Sequence, residues 1–151
     1  MLCSSLVKHL QVVTVSSVVS LDKKLHIPYN YTMKNTLIIG ATPNPTRYAY
    51  RAAQMLKSKG HSIVNVGIKS GEVAGVTIEK PGSIHTDIHT VTLYIGPDLQ
   101  AGYFDYIVQT NPKRVIFNPG TENAELEAVL KENGIEPVEA CTLVMLATGQ
   151  Y

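Results

Sequence analysis

The chain of 151 residues is long enough for one domain and too short for two independent catalytic ones, since a core usually needs about 100 to 150 residues to close. Charged residues make up 17% and the formal net charge is +1, which excludes intrinsic disorder and a polybasic surface for nucleic acid. With no Trp and 2 Phe, the core has to be built from Val, Ile, Leu, Ala and Tyr, a composition that suits a parallel sheet under helices.

Residues 1–32 form a small basic leader, carrying Lys8, Lys23, Lys24 and Asp22, and the remainder is slightly acidic. The longest uncharged stretch of the leader, Leu10 to Leu21, has twelve residues, too few to span a bilayer. Lys8 and His9 sit late for a signal peptide, and Thr and Ser dilute the apolar centre. The expectation is that the leader is upstream sequence or a poorly ordered arm, and that the domain runs from Met33, where MKNTLIIGAT opens a strand. Cys3 and Cys141 fall on opposite sides of this boundary and offer no disulfide framework, so a reducing cytoplasm is the expected compartment.

From Met33 the chain alternates β-branched runs with helical patterns, as βαβ units do. Thr36 to Ile39 is the first predicted strand. Ala49, Ala52, Ala53 and Leu56 then make one apolar stripe on a helix that ends near Gly60. Ser62 to Val66 is the second strand. Gly71 to Gly82 is rich in turns, with a short extended piece at Val76 to Ile78. His89 to Ile95 forms a strand, Asp98 to Thr110 a weak helix, and Arg114 to Phe117 another strand. Thr121 is placed to cap a helix whose first turn holds Glu122 and Glu125, whose apolar face is Leu126, Val129 and Leu130, and which stops at Gly134. Glu136 to Ala140 is a last strand and Thr142 to Ala147 a closing helix. The expected fold is α/β in three layers, with a mainly parallel sheet of about five strands.

In such a fold ligands sit outside the carboxyl ends of the strands. The segment LIIGATPNPTRYAY puts Gly40 directly after a strand and opens a helix about six residues later, where backbone N–H groups and the helix dipole can hold a phosphate. It is not a GxGxxG fingerprint, because Thr42 and Pro45 replace the second and third glycines. Thr42 offers a hydroxyl and Arg47 a charged fork instead. An NAD site calls for Asp or Glu after the second strand. This chain reads NVGIKSGE, with Lys69 as its first charge, which suits an additional ribose phosphate such as those of NADP or coenzyme A.

The segments GATPNPTRYAY, VNVGIKSGEVAG, HTVTLYIG, IFNPGTEN and VEAC, in that order, resemble those of the small stand-alone coenzyme A-binding domain proteins. These are similar to the N-terminal domain of the succinyl-coenzyme A synthetase alpha subunit. The resemblance implies a Rossmann-like fold that binds coenzyme A with its pyrophosphate on Gly40, Ala41, Thr42, Asn44 and Arg47. It implies that Gly67, Ile68 and Lys69 take the adenosine end. Tyr94, Ile95 and Gly96 would line the cleft beside the first loop, and Asn118, Pro119 and Gly120 its far side. The family often carries Gln where Asn118 stands, and a basic tail where this chain reads TLVMLATGQY.

Two other constellations carry weaker signals. His85, Asp87 and His89 alternate and would share one side of an extended segment, yet no further ligand type is grouped with them, so they read as a polar lead into a strand. Cys141 stands at the ligand end, where a mixed disulfide with coenzyme A is conceivable, but a small residue filling a gap between helix and sheet is the preferred reading. No catalytic base or nucleophile stands out. The leading expectation is a module that binds coenzyme A or an acyl-coenzyme A, with no nucleic-acid or membrane partner. The alternatives are an NADP-dependent oxidoreductase, whose substrate cleft a homodimer could build, and a nucleotide-binding regulatory subunit with a vestigial site.

Overall fold

The computed structural model describes residues 32–151. The expectations about the leader, residues 1–32, lie outside the described residues except at Thr32. Seven strands make one sheet: β1 (Thr36–Ile39), β2 (Ile63–Val66), β3 (Glu72–Val73), β4 (Val76–Glu79), β5 (Thr90–Leu93), β6 (Arg114–Phe117) and β7 (Glu136–Glu139). Their order is β3-β4-β2-β1-β5-β6-β7, and every pairing is parallel except β3 with β4. The helices are α1 (Tyr48–Ser58), α2 (Pro97–Gln100), α3 (Phe104–Thr110), α4 (Ala124–Glu132) and α5 (Thr142–Thr148). The class is the expected one, with seven strands rather than about five.

Burial follows the strand period. On β1, Leu37 and Ile39 join Val91, Leu93, Val115, Phe117, Ile107, Leu126 and Leu130 in one core, on the side of α3 and α4. Ile38 faces the other side, with Ala49, Ala53 and Leu56 of α1 and Leu146 of α5. All four residues of β1 and of β5 are buried, as strands covered on both faces must be. The alanine stripe of α1 lets that helix lie close to the sheet: Ala49, Ala52, Ala53 and Leu56 are its buried residues. Strand β7, at the edge, carries Pro137, whose missing N–H is tolerated where one side has no partner strand.

Three expectations are corrected. Residues 72–79 are not merely turn-rich but form a β-hairpin closed by Ala74 and Gly75, both at positive φ (53° and 74°). A two-residue turn of that hand usually carries Asn, Asp or Gly first, so Ala74 hides it from sequence. Buried Asn65 on β2 secures it, its Nδ2 donating to the carbonyls of Val73 and Val76 at 3.1 Å each. The weak helix expected from Asp98 to Thr110 is broken into α2 and α3 by a 3-10 turn at Ala101–Tyr103, where Gly102 favours no helix. Finally, α4 is capped by Asn123 and not Thr121. The Asn123 Oδ1 accepts from the N–H groups of Glu125 (3.1 Å) and Leu126 (3.2 Å), whereas the Thr121 hydroxyl donates to the Asn118 carbonyl at 2.8 Å. Glu122 turns back to the Gly120 N–H at 2.8 Å, so the acids of the first turn are Glu125 and Glu127.

Among the described residues, no helix is long and apolar enough to cross a membrane. The cap assignment gives a direct expectation: Asn123→Ala should lower unfolding stability by about 1 kcal/mol, and Asn123→Ser should recover most of it. Denaturant midpoints at unchanged slope would measure both.

Candidate functional site

Chain order creates one place where the loops part. After β1 the chain winds outward through β2 to β4, then crosses back to β5 on the other side of β1. The loop after β1 and the loop after β5 therefore leave the sheet in opposite directions, and the crevice between them is the topological switch point. Gly40 to Arg47 and Tyr94 to Gly96, both singled out by sequence, stand there.

Backbone packing at this crevice leaves no room for side chains. A Cβ on Gly40 would lie 2.9 Å from Ile95 Cγ2 and 3.0 Å from the Tyr94 carbonyl, and the Gly40 φ of +95° also favours glycine. A Cβ on Gly67 would come 2.2 Å from the Ala41 carbonyl oxygen. The loops after β1, β2 and β5 are thus fitted against one another through two glycines. Tyr94 contributes its backbone to this contact, while its ring packs into the core under α1 and burial pushes its phenol far above the usual range.

The first loop divides its hydrogen-bonding groups between inside and outside. The N–H groups of Gly40 and Ala41 both donate to the Val66 carbonyl, at 2.9 and 3.0 Å, so they hold β1 to β2 and are not offered to a ligand. Asn44 shapes the loop: its Oδ1 accepts from the Thr46 N–H (3.0 Å) and hydroxyl (2.8 Å), and its own N–H reaches Thr42 Oγ1 at 3.3 Å. This Asn-centred turn brings the chain into α1, which starts with no capping side chain and no acid in its first turn. The positive end of α1 is left uncompensated, and Arg47 stands at its N-cap, exposed and without a hydrogen bond or ion pair from its side chain to any described residue. An anion is the complement to that arrangement.

At the end of β2, Ile68 is 76% exposed and Lys69 is exposed beside it. Sequence reasoning missed a companion, Lys80. Register pairs Val66 with Glu79, so the residue after Glu79 comes level with Gly67, and the Lys80 ammonium donates to the Ile68 carbonyl. The signal was the lysine shortly after the extended piece at Val76 to Ile78, but only the placement of β4 next to β2 gives it meaning.

The far side of the crevice is tied together by internal hydrogen bonds. Asn118, expected to line the cleft, is buried, and its carboxamide is used internally. Its Nδ2 donates to Thr92 Oγ1 (2.7 Å) and the Leu93 carbonyl (2.9 Å), and its Oδ1 accepts from the Thr142 N–H at 2.8 Å. Gln100 was not foreseen either; wholly buried, it donates from Nε2 to the carbonyls of Ile95 (3.1 Å) and Thr121 (2.7 Å) and so joins the loops after β5 and β6. Pro119, Gly120 and Gly96 are exposed around these anchors. Cys141 is half-buried at the start of α5.

Two other places are set apart from this site. His85 pairs with Glu79 (2.9 Å) and His89 Nδ1 with Thr90 Oγ1 (2.9 Å), and no three potential ligands are grouped for a metal among the described residues. A depression of about 280 Å³ lined by Thr36, Ile63, Val64, His85 and Ile88 lies at the opposite end of the strands from the crevice.

Comparisons with known proteins bear on the family and the fold. A family model described as a CoA binding domain matches residues 34–147. The crystal structure of an uncharacterised protein is 58% identical over 79% of this chain and 98% of its own, with a TM-score of 0.77. A hypothetical protein from Pyrococcus horikoshii OT3 is 26% identical over 78% of this chain and 84% of its own, at a TM-score of 0.70. A Thermus thermophilus protein, 21% identical over 79% of this chain and 91% of its own, shares the fold at a TM-score of 0.66. No curated protein matches.

Glycine packing makes a paired expectation. Gly67→Ala, opposed by the Ala41 carbonyl, should lower stability by about 1–3 kcal/mol, as overpacking does. Gly96→Ala meets nothing within 4 Å and should stay within about 0.5 kcal/mol of the parent. Thermal unfolding of the two variants side by side would measure the difference.

Proposed function

This chain belongs to the CoA binding domain family, and from that premise we propose that it holds coenzyme A or an acyl-coenzyme A across the switch point without chemistry of its own. The observation that carries the reading is the uncompensated start of α1 with Arg47 at its N-cap, next to a first loop pressed flat by Gly40. A pyrophosphate there takes the N–H groups of the first helical turn and the guanidinium. Thr42 adds a hydroxyl, and Asn44 serves by shaping the loop. Gly40 and Ala41 act through close packing, since their N–H groups are already bonded to Val66.

The adenosine end falls to Gly67, Ile68 and Lys69. Exposed Ile68 supplies an apolar surface for the adenine, and Lys69 together with Lys80 supplies positive charge for the ribose 3′-phosphate. The pantetheine arm then runs past Gly96 toward Pro119 and Gly120, over loops that Gln100 and Asn118 hold in place. Every group assigned to the ligand is a donor, a cation or an apolar surface. That set fits binding of a polyanion better than proton transfer.

The same lysine pair would also suit the 2′-phosphate of NADP, so the ligand series has to separate the two. Thermal unfolding of the full chain should rise with coenzyme A and acetyl-coenzyme A, and not with NADP or NAD. A ligand at 100 times its dissociation constant stabilises by about 2.7 kcal/mol. Lys69→Glu and Lys80→Glu should each weaken coenzyme A several-fold more than dephospho-coenzyme A, whereas Arg47→Ala should weaken both alike. A shift with NADP and none with coenzyme A would replace this reading with the oxidoreductase one.

A further inference from the structure

One polar side chain is buried where the sheet would ordinarily place an apolar one. Asn65 of β2 lies in register between Ile38 of β1 and Ile78 of β4, both part of the apolar core on the α1 side, and it is wholly buried. A strand covered on both faces usually carries Val, Ile or Leu at such a position. Here the Nδ2 donates to the carbonyls of Val73 and Val76, at 3.1 Å each, while the Oδ1 has no hydrogen-bond partner among the described residues. A buried acceptor without a partner costs stability. What the Asn65 amide supplies in return is the closure of the β3–β4 hairpin.

That hairpin needs support from outside. It contains two pairs, Glu72 with Thr77 and Val73 with Val76, and β4 meets β2 over two more, Asn65 with Ile78 and Val66 with Glu79. Its turn holds Ala74 and Gly75 at positive φ, and Ala74 lacks the short polar side chain that makes Asn or Asp the usual first residue there. Val73 and Ile78 hold the hairpin to the core by apolar contact, which has no direction. Asn65 meets the carbonyls on both sides of the turn, and so provides from β2 the closure that the turn sequence lacks.

The hairpin in turn holds the loop after β2. Residues 67–71 are tied to β4 at both ends: the Gly67 N–H donates to the Glu79 carbonyl at 2.9 Å, and the Gly71 carbonyl accepts from the Ile78 N–H at 2.8 Å. Between those ties the Lys80 ammonium donates to the Ile68 carbonyl. A Cβ on Gly71 would lie 3.0 Å from Pro43 Cβ, so the same loop rests on the loop after β1. Ile68, Lys69 and Lys80 therefore keep their spacing only while β4 stays in place. We propose that Asn65 is a positioning residue for the ligand: by closing the hairpin it fixes the spacing of Lys69 and Lys80, and with it the preference for a ribose phosphate. This rests on the coenzyme A reading given above. Asn65 is buried and acts through the hairpin, not by contact with the ligand.

The test measures dissociation constants of the full chain for coenzyme A, dephospho-coenzyme A and phosphopantetheine. The parent should bind coenzyme A several-fold more tightly than dephospho-coenzyme A. Asn65→Leu, an apolar side chain of the same branching, should bring those two toward equality and leave phosphopantetheine, which has no adenosine end, unchanged. Adding Ala74→Asn gives the turn its favoured Asn-Gly sequence and should restore most of the lost preference. A role confined to overall stability would instead weaken all three ligands alike, and a change in the turn would not repair it. A parent that fails to bind coenzyme A, or that binds it no better than dephospho-coenzyme A, removes the reading of the adenosine end and this inference with it. Where the parent shows the preference, an Asn65→Leu variant that keeps it overturns the role of Asn65 alone. A double variant no better than Asn65→Leu overturns the route through the hairpin. If Asn65→Leu does not fold, Asn65→Val, whose β-branched side chain suits a strand, carries the same expectation and the same overturning result.

Discussion

The arrangement rests on a steric constraint: three strand-end loops meet with their backbones in contact. A methyl group on Gly67 would have to occupy the space of the Ala41 carbonyl, and one on Gly40 that of the Tyr94–Ile95 peptide. Strand order explains why this contact is needed. β1 is flanked by β2 and β5, so its loop must leave between two others, and only backbone without side chains passes through such a gap. The chain beyond Gly40 is then directed outward, and the start of α1 is exposed at the crevice. The capacity proposed for this site to hold a phosphate is a by-product of close packing as much as of the residues that would touch the ligand.

Close packing of loops needs rigid support from the far side, and that support is polar. Asn118 spans β5, β6 and α5 with three hydrogen bonds, and Gln100 ties the loop after β5 to the loop after β6. Apolar contacts would bury as much area but fix no direction, whereas an amide with two donors and an acceptor permits only one placement of the backbone groups it meets. Thr92 and Thr142 extend the same network, their hydroxyls 2.8 Å apart under α5. Since α5 is only seven residues long, this polar seam and the Tyr151 contacts at its other end do much to position it.

How far the sequence could be read depended on whether a signal was local. The alanine stripe of α1 and the β-branched strands are periodic, and so they were legible. Gly40, Gly67 and Lys69 were legible as well, because each stands at or just past the end of a strand. Lys80 was not, since its neighbour Gly67 is far away in sequence and becomes adjacent only through the β2–β4 register. The Ala74–Gly75 turn was hidden because its first residue is one that rarely adopts positive φ. Asn118 was found by its position after a strand, but the internal use of its amide, by Thr92, Leu93 and Thr142, depends on three elements distant in sequence and shows only in the fold. Asn123 and Thr121 are both good caps on composition, and the choice between them was decided by the Asn118 carbonyl, which takes the Thr121 hydroxyl.

The two ends of the sheet treat positive charge in opposite ways, and the contrast is physical. At the carboxyl ends of the strands, Arg47 and Lys69 stand in water, where an unpaired cation costs little and stays available to an incoming anion. At the other end, Lys34 and Arg114 are drawn in around an aromatic ring, and Lys34 is partly desolvated with its ammonium pulled below the usual lysine range by burial and by Arg114. The face of the Tyr151 ring and its main-chain oxygen offer those cations a partly buried complement in place of water. The cations of the crevice are therefore exposed to water, whereas those at the other end are enclosed around a ring that fixes their direction.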